Sequence, residues 1–322
     1  MTTPAQERAT RIAALPFQTS GSRSANRFGA FVGAFSEILA HRELLVLLVR
    51  RELKSRYKDS SLGFLWSLIK PITMLLIYYV AIGQFLGAAR GIPDFAIYVF
   101  AGLTMWGLFS EIITSGTSSI VGNAGLIKKV YLPREIFPLA ATGSALFNFV
   151  IQFVVLVAAT VLLGQFPFGP LIAYVPAAVI ITIIYGFAIG LMFSALNVYL
   201  RDIQYLVEVG ILLFFWASPI VYSWSFVVDA AQRTGILWLS EVYLWNPVTI
   251  AMLAFQRGMW VAGSEDRVVG VDGNGADIVI AAQPWPPDLN LRIFVITVVG
   301  LLLVWIAQRV FSRLQGNFAQ EI

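Results

Sequence analysis

The sequence predicts an all-α integral membrane protein with six transmembrane helices, and three observations carry that prediction. Hydrophobic residues make up 58% of the 322 and charged residues only 12%, with a mean hydropathy of +0.78; a soluble chain built on one core does not reach such values. Apolar runs long enough to cross about 30 Å of hydrocarbon as helices, roughly 20 residues each, recur along the chain. Those runs are roughly two to three times too long for barrel strands and lack strict alternation, whereas a helix satisfies its backbone hydrogen bonds within its own segment.

In chain order, residues 1–42 read as a cytosolic segment, 43–61 as an amphipathic helix and 62–322 as the membrane domain. The expected spans lie near 64–86, 97–119, 138–163, 171–197, 203–223 and 290–310. The start does not read as a cleavable signal peptide, because the apolar patch FGAFVGA follows about 27 mostly polar residues. The first 61 residues carry ten Lys or Arg, the loop near 120–137 carries Lys128, Lys129 and Arg134, and the tail adds Arg309 and Arg313. By the positive-inside rule, both termini are cytosolic in a plasma (inner) membrane and residues 223–289 form an external loop.

Residues 43–59 have helical spacing: Leu45, Val49, Leu53 and Tyr57 form one stripe, and Arg50, Lys54 and Lys58 the next, with Arg51 beside them. Glu52 and Arg56 are set for an i,i+4 pair. An apolar stripe beside a basic one suits the headgroup region of a membrane. Two readings stay open for this helix, a membrane-surface anchor and a docking surface for a cytosolic partner. Between spans two and three, NAGLIKKVYLPREIFP (123–138) places Leu126, Ile127, Val130 and Tyr131 at helical spacing before Pro133, and reads as a short cytosolic helix.

Four stretches in chain order carry a resemblance: RRELKSRYKDSSLGFLWSLIKP from Arg50, NAGLIKKVYLPREIFP, NVYLRDIQYL at 197–206 and SPIVY at 218–222. The chain resembles the ABC-2 type permeases, and more narrowly the permease subunits of polysaccharide and teichoic acid exporters. The likeness runs from about residue 43 to Trp260 and resumes in the last span and FSRLQGNFAQEI. It implies a type V exporter-like permease in which 43–58 is a cytosolic interface helix. Residues 123–136 would be a coupling helix seated in an ATPase subunit, with Leu126, Ile127, Lys128, Tyr131 and Arg134 as contacts. Further implied are a homodimer with two ATPase copies, external gate helices within 224–289, and spans one and five lining the channel.

A separate motor agrees with the residues themselves. The five lysines stand at 54, 58, 70, 128 and 129, and none sits in a Gly-x-x-x-x-Gly-Lys-Ser/Thr loop. This chain therefore carries no cofactor of its own, and ATP and Mg belong to the partner subunit. The expected partners are that ATPase, membrane lipids and a lipid-linked glycan, not nucleic acid.

Charge inside a span is costly and normally faces a polar interior, which singles out Lys70, Glu111 and Glu208. Lys70 and Glu111 lie at comparable depths, so an ion pair between them is the plain reading; snorkelling of Lys70, or its contact with a diphosphate, are the others. Arg201 and Asp202 occupy a tight turn, where Arg201 either fixes the turn or meets a lipid phosphate. Trp66, Tyr78, Tyr79 and Phe215 are span aromatics whose ordinary roles are packing or interfacial belts; on a pore face they would stack on sugars.

Asn246 followed by Pro247 is an N-cap and first-turn pair that opens a helix too short to cross, read as an external gate. Beyond it, VVGV-DGNG-ADIVI has the pattern of a β-hairpin, and DGNGAD lacks the closing acid of a calcium loop. With no Cys and the single His41, thiolate or histidine metal clusters have no ligands. An enzyme would need grouped acids or His, and a proton-coupled carrier a titratable relay; neither pattern is present. The expected function is the permease of an ATP-driven exporter moving a polyprenyl-diphosphate-linked polysaccharide out of the cytosolic leaflet, with a permease for a small lipophile or drug as the alternative.

Overall fold

The computed structural model describes residues 40–57, 65–85, 87, 92–130, 132–271, 277–280, 282–283, 285–286 and 288–321. Lys58, the Ser-Ser-Leu-Gly junction, Tyr131 and the turn of the expected hairpin lie outside them, as does nearly all of segment 1–42. The elements named here belong to the unit His41–Ile322.

Helix α1 (Arg42–Tyr57) is followed by α2 (Trp66–Ile77), which continues as a π-helical stretch, Tyr78–Phe85. Then come α3 (Phe95–Ser118), the single turn α4 (Ala124–Ile127), α5 (Ile136–Leu162) and α6 (Tyr174–Tyr199). After α7 (Ile203–Trp216) the chain makes α8 (Trp224–Thr234), α9 (Leu237–Leu244), α10 (Pro247–Met259) and α11 (Val261–Ser264). A two-stranded antiparallel sheet, β1 (Arg267–Val271) with β2 (Asp277–Ile280), follows where the alternating pattern predicts a hairpin. The last elements are α12 (Leu289–Leu314) and α13 (Phe318–Glu321).

Helix α3 is the centre of the bundle, with most of its residues buried, whereas no residue of α2 is buried. Lipid is as apolar as leucine, so close packing rather than water expulsion must join such helices. Small residues supply it: a Cβ on Gly116 would stand 3.1 Å from the Gly190 Cα, and one on Gly190 would stand 3.1 Å from the Ile112 carbonyl oxygen. Gly186 and Gly190 thus form a Gly-x-x-x-Gly face on α6 that meets α3. Helix α10 is driven into the same core, with Ile250, Leu253 and Phe255 buried.

The basic segments gather at one end. There Leu48 of α1, Ile127, Phe137 of α5, Val198 of α6, Phe311 of α12 and Phe318 share one apolar cluster. At the opposite end the Tyr98 hydroxyl reaches the Pro219 and Tyr222 carbonyls at 3.0 and 2.6 Å, and Gln256 Nε2 donates to the same Pro219 oxygen at 2.8 Å.

A sixth full-length span is not found among the described residues, where Ile203–Trp216 is a shorter apolar helix. Among the described residues, five helices are long and apolar enough to cross a membrane. The run expected at 203–223 is helical only to Trp216, because Pro219 lacks an amide donor and disfavours helix in the residue before it. The chain still travels end to end there. Helix α7 starts beside Tyr199, whose hydroxyl donates to Leu314 O at 2.7 Å, and the following turn arrives at Tyr98.

Candidate functional site

A cavity of about 630 Å3 opens between α1, α2, α3 and α5. Trp66, Ser67, Lys70 and Met74 line it from α2, Trp106 and Glu111 from α3, Asn148 and Gln152 from α5, and Arg56 from α1. Pro71 interrupts the backbone hydrogen bonds of α2 beside Lys70. One Glu111 carboxylate oxygen accepts from Arg56 and, at 2.6 Å, from Asn148 Nδ2.

The expected Lys70–Glu111 pair is therefore corrected. Glu111 is paired by Arg56, which reaches it from a separate helix, and Lys70 stands exposed on the cavity wall without an ion-pair partner among the described residues. Arg56 also acts on Glu52, its expected i,i+4 partner. Burial holds the Glu52 carboxyl above the ordinary carboxylate range, with Arg56 pulling it down and Glu111 pushing it up. The chemical inventory is two guanidinium or ammonium groups, one carboxylate, two amides and two indoles. Such a set can hold an anion beside a hydroxyl-rich, C–H-faced group.

Of the other residues expected on a substrate path, Phe215 is a packing residue. It is 8% exposed, with the rings of Tyr78, Trp106 and Trp216 at 5.9, 5.5 and 5.4 Å. Tyr79 and Glu208 are exposed, on α2's π-helical continuation and on α7. Arg201 and Asp202 are exposed in the turn, with no ion pair between them among the described residues. The face of α7 that bears Tyr205, Val209 and Leu212 is also exposed, so Glu208 shares an uncovered apolar surface.

The loop expected to form a helix over 123–136 is more broken than its spacing suggests. A 3-10 turn, Val121–Asn123, leads into α4, which ends at Ile127, and α5 begins after Pro133. Of the five expected contact residues, Lys128 is exposed, Leu126 is partly buried and Ile127 belongs to the core, while Tyr131 is outside the described residues. The Arg134 guanidinium lies 5.5 Å over the Phe318 ring. Lys128, Lys129 and Arg134 surround a hollow of about 230 Å3. On α1, Arg50, Arg51 and Lys54 are exposed, and Arg51 donates to Asn123 beside α4. On α1 the expected stripe faces inward, with Leu45, Val49 and Leu53 partly buried and Val49 resting on Gly143 of α5, and Leu48 beside it is the deepest residue.

At the opposite end Asn246 caps α10, its Oδ1 accepting from Val248 N at 3.0 Å, with Pro247 at the first position. Sequence reading misses Arg292. It donates to Glu241 at 2.8 Å and stacks 4.8 Å over Trp245, tying α12 to α9. Among the described residues no group of three or more His, Asp or Glu comes together to hold a metal ion.

Comparison with known proteins places this geometry. Curated relatives include two described as "O-antigen export system permease protein RfbA". That of Myxococcus xanthus is 29% identical over 286 residues, covering 89% of this chain and 98% of the relative. One of Klebsiella pneumoniae is 27% identical over 278 residues, covering 86% and 94%. The family model for the ABC-2 type transporter matches residues 43–260, more than half of the chain and the whole stretch from α1 through α10. The chain therefore belongs to the ABC-2 type transporter family.

Proposed function

We propose that this protein is the permease of an ATP-driven exporter that moves a polyprenyl-diphosphate-linked polysaccharide from the cytosolic leaflet across the plasma membrane. The cavity between α1, α2, α3 and α5 is the observation that carries the reading. Lys70, with no ion-pair partner among the described residues, supplies a point charge for a diphosphate, and the exposed Trp66 offers a face to sugar C–H groups. Asn148 and Gln152 add amides for hydroxyls. End-to-end similarity to permeases named for O-antigen export supports the same substrate class.

Positive-inside logic makes the basic end cytosolic. Hydrolysis then falls to a separate ATPase subunit, which meets the surface around Lys128 and Arg134 and the exposed cations of α1. Glu208, exposed on α7, is costly against hydrocarbon, which supports a second copy of the chain, or an aqueous path between two copies, over the outer face of α7. Helices α8 to α10 close the external end. Depletion of the protein, followed by extraction and sizing of lipid-linked glycans, tests the reading. Build-up of long lipid-linked glycan is expected; an unchanged pool would reject it in favour of a small lipophile as cargo.

A further inference from the structure

We infer that Phe318 is a positioning residue, a brace that fixes the exposed loop between α4 and α5 against the ends of α6 and α12. The loop needs such a brace. Its helical part is one turn, Pro133 removes a backbone donor, and Lys128, Lys129 and Val130 stand in the open. A load applied there would bend the loop unless something behind it resisted.

Three contacts stand behind it. Phe318 is fully buried, set edge-on to Phe311 at 5.5 Å and to Tyr199 at 6.2 Å, and its ring carries the Arg134 guanidinium. One residue on, Glu135 is 2% exposed and accepts from Gln308 Nε2 of α12 at 2.9 Å. The Tyr199 hydroxyl holds Leu314 O at 2.7 Å, where α12 gives way to the 3-10 turn Gln315–Asn317 that delivers Phe318. A guanidinium over an aromatic face is a directional contact, and the ring behind it has no room to retreat. Motion of the loop is therefore passed to α6 and α12 together. That this motion is the ATPase stroke rests on the function proposed above; the brace itself does not.

The chain has no cysteine, so Val130→Cys with Leu200→Cys adds the only two thiols, both at exposed positions. Spin labels on them report the loop-to-bundle distance in lipid nanodiscs. A single narrow distance is expected with Phe318 present. Phe318→Ala and Phe318→Leu should each at least double its width. The leucine variant keeps the buried site filled, so it decides the matter if the alanine variant does not fold. An unchanged width in Phe318→Leu would overturn the brace. Widening with export and ATP hydrolysis at their normal rates would uphold the brace and count against the loop as the ATPase contact.

Discussion

Arg56 of α1 and Glu111 of α3, 55 residues apart, form an ion pair that ties the basic surface helix to the centre of the bundle. Their side chains are 34% and 21% exposed, so solvent screens the pair in part. Asn148 holds the same carboxylate oxygen and keeps the geometry fixed. Glu111→Gln and Arg56→Gln should each lower stability by about 1–2 kcal/mol. Thermal unfolding of both single variants and the double variant should show a smaller loss in the double than the sum of the two. Simple additivity would mean that the two side chains do not interact.

Lys70 should behave in the opposite way. With no ion-pair partner among the described residues, its replacement by Met should leave stability within about 0.5 kcal/mol, while export falls severalfold. Loss of folding with export per folded molecule intact would make Lys70 structural.

The contact of α3 with α6 leaves no space for side chains at Gly116 and Gly190. Gly190→Leu should separate the two helices and cost at least about 1–3 kcal/mol, seen as loss of the monodisperse peak on size-exclusion chromatography. A Cβ on Gly122 would meet no atom within 4 Å, and Gly122→Ala should be tolerated.

Much of this architecture is legible in the sequence because the membrane enforces simple patterns. Five spans follow from apolar run length, the α10 start from Asn246 and Pro247, and the hairpin from alternation around a glycine turn. What escapes the sequence is three-dimensional pairing. Arg56 and Glu111 look unrelated until α1 is laid against the bundle, and Lys70 looks like the nearer partner because depth along a span says nothing of which way each helix is turned. The family resemblance points Ile127, and ring chemistry Phe215, toward functional surfaces, yet both are consumed by packing. Run length overstates α7, since apolar residues continue past Pro219 after the helix has stopped.

Glu52 gives α1 a pH signature. Desolvation raises its folded-state carboxyl above the ordinary glutamate value, so the folded state binds the proton more tightly than the unfolded one. Stability from this group therefore falls as pH rises from the ordinary value through the raised one, and is regained on acidification. Glu52→Gln should raise the melting temperature at pH 7 and flatten that slope. A variant that melts lower at neutral pH would reverse the sign.

Capping at Asn246 can be tested alone. Asn246→Ala should cost about 1 kcal/mol, whereas Asn246→Ser, which still accepts from an amide, should cost less. Equal losses would show that the side-chain cap at α10 is not what matters.

The 14 residues of α7 reach only about 21 Å, roughly 9 Å short of a typical hydrocarbon core. Such a hydrophobic mismatch costs fractions of a kcal/mol per Å, and a short span relieves it by thinning the bilayer, by snorkelling of its flanking residues or by association with another copy. Acyl-chain length becomes a control on the transporter: bilayers of longer lipids should slow it, and shorter ones should favour it, with no change to a single residue.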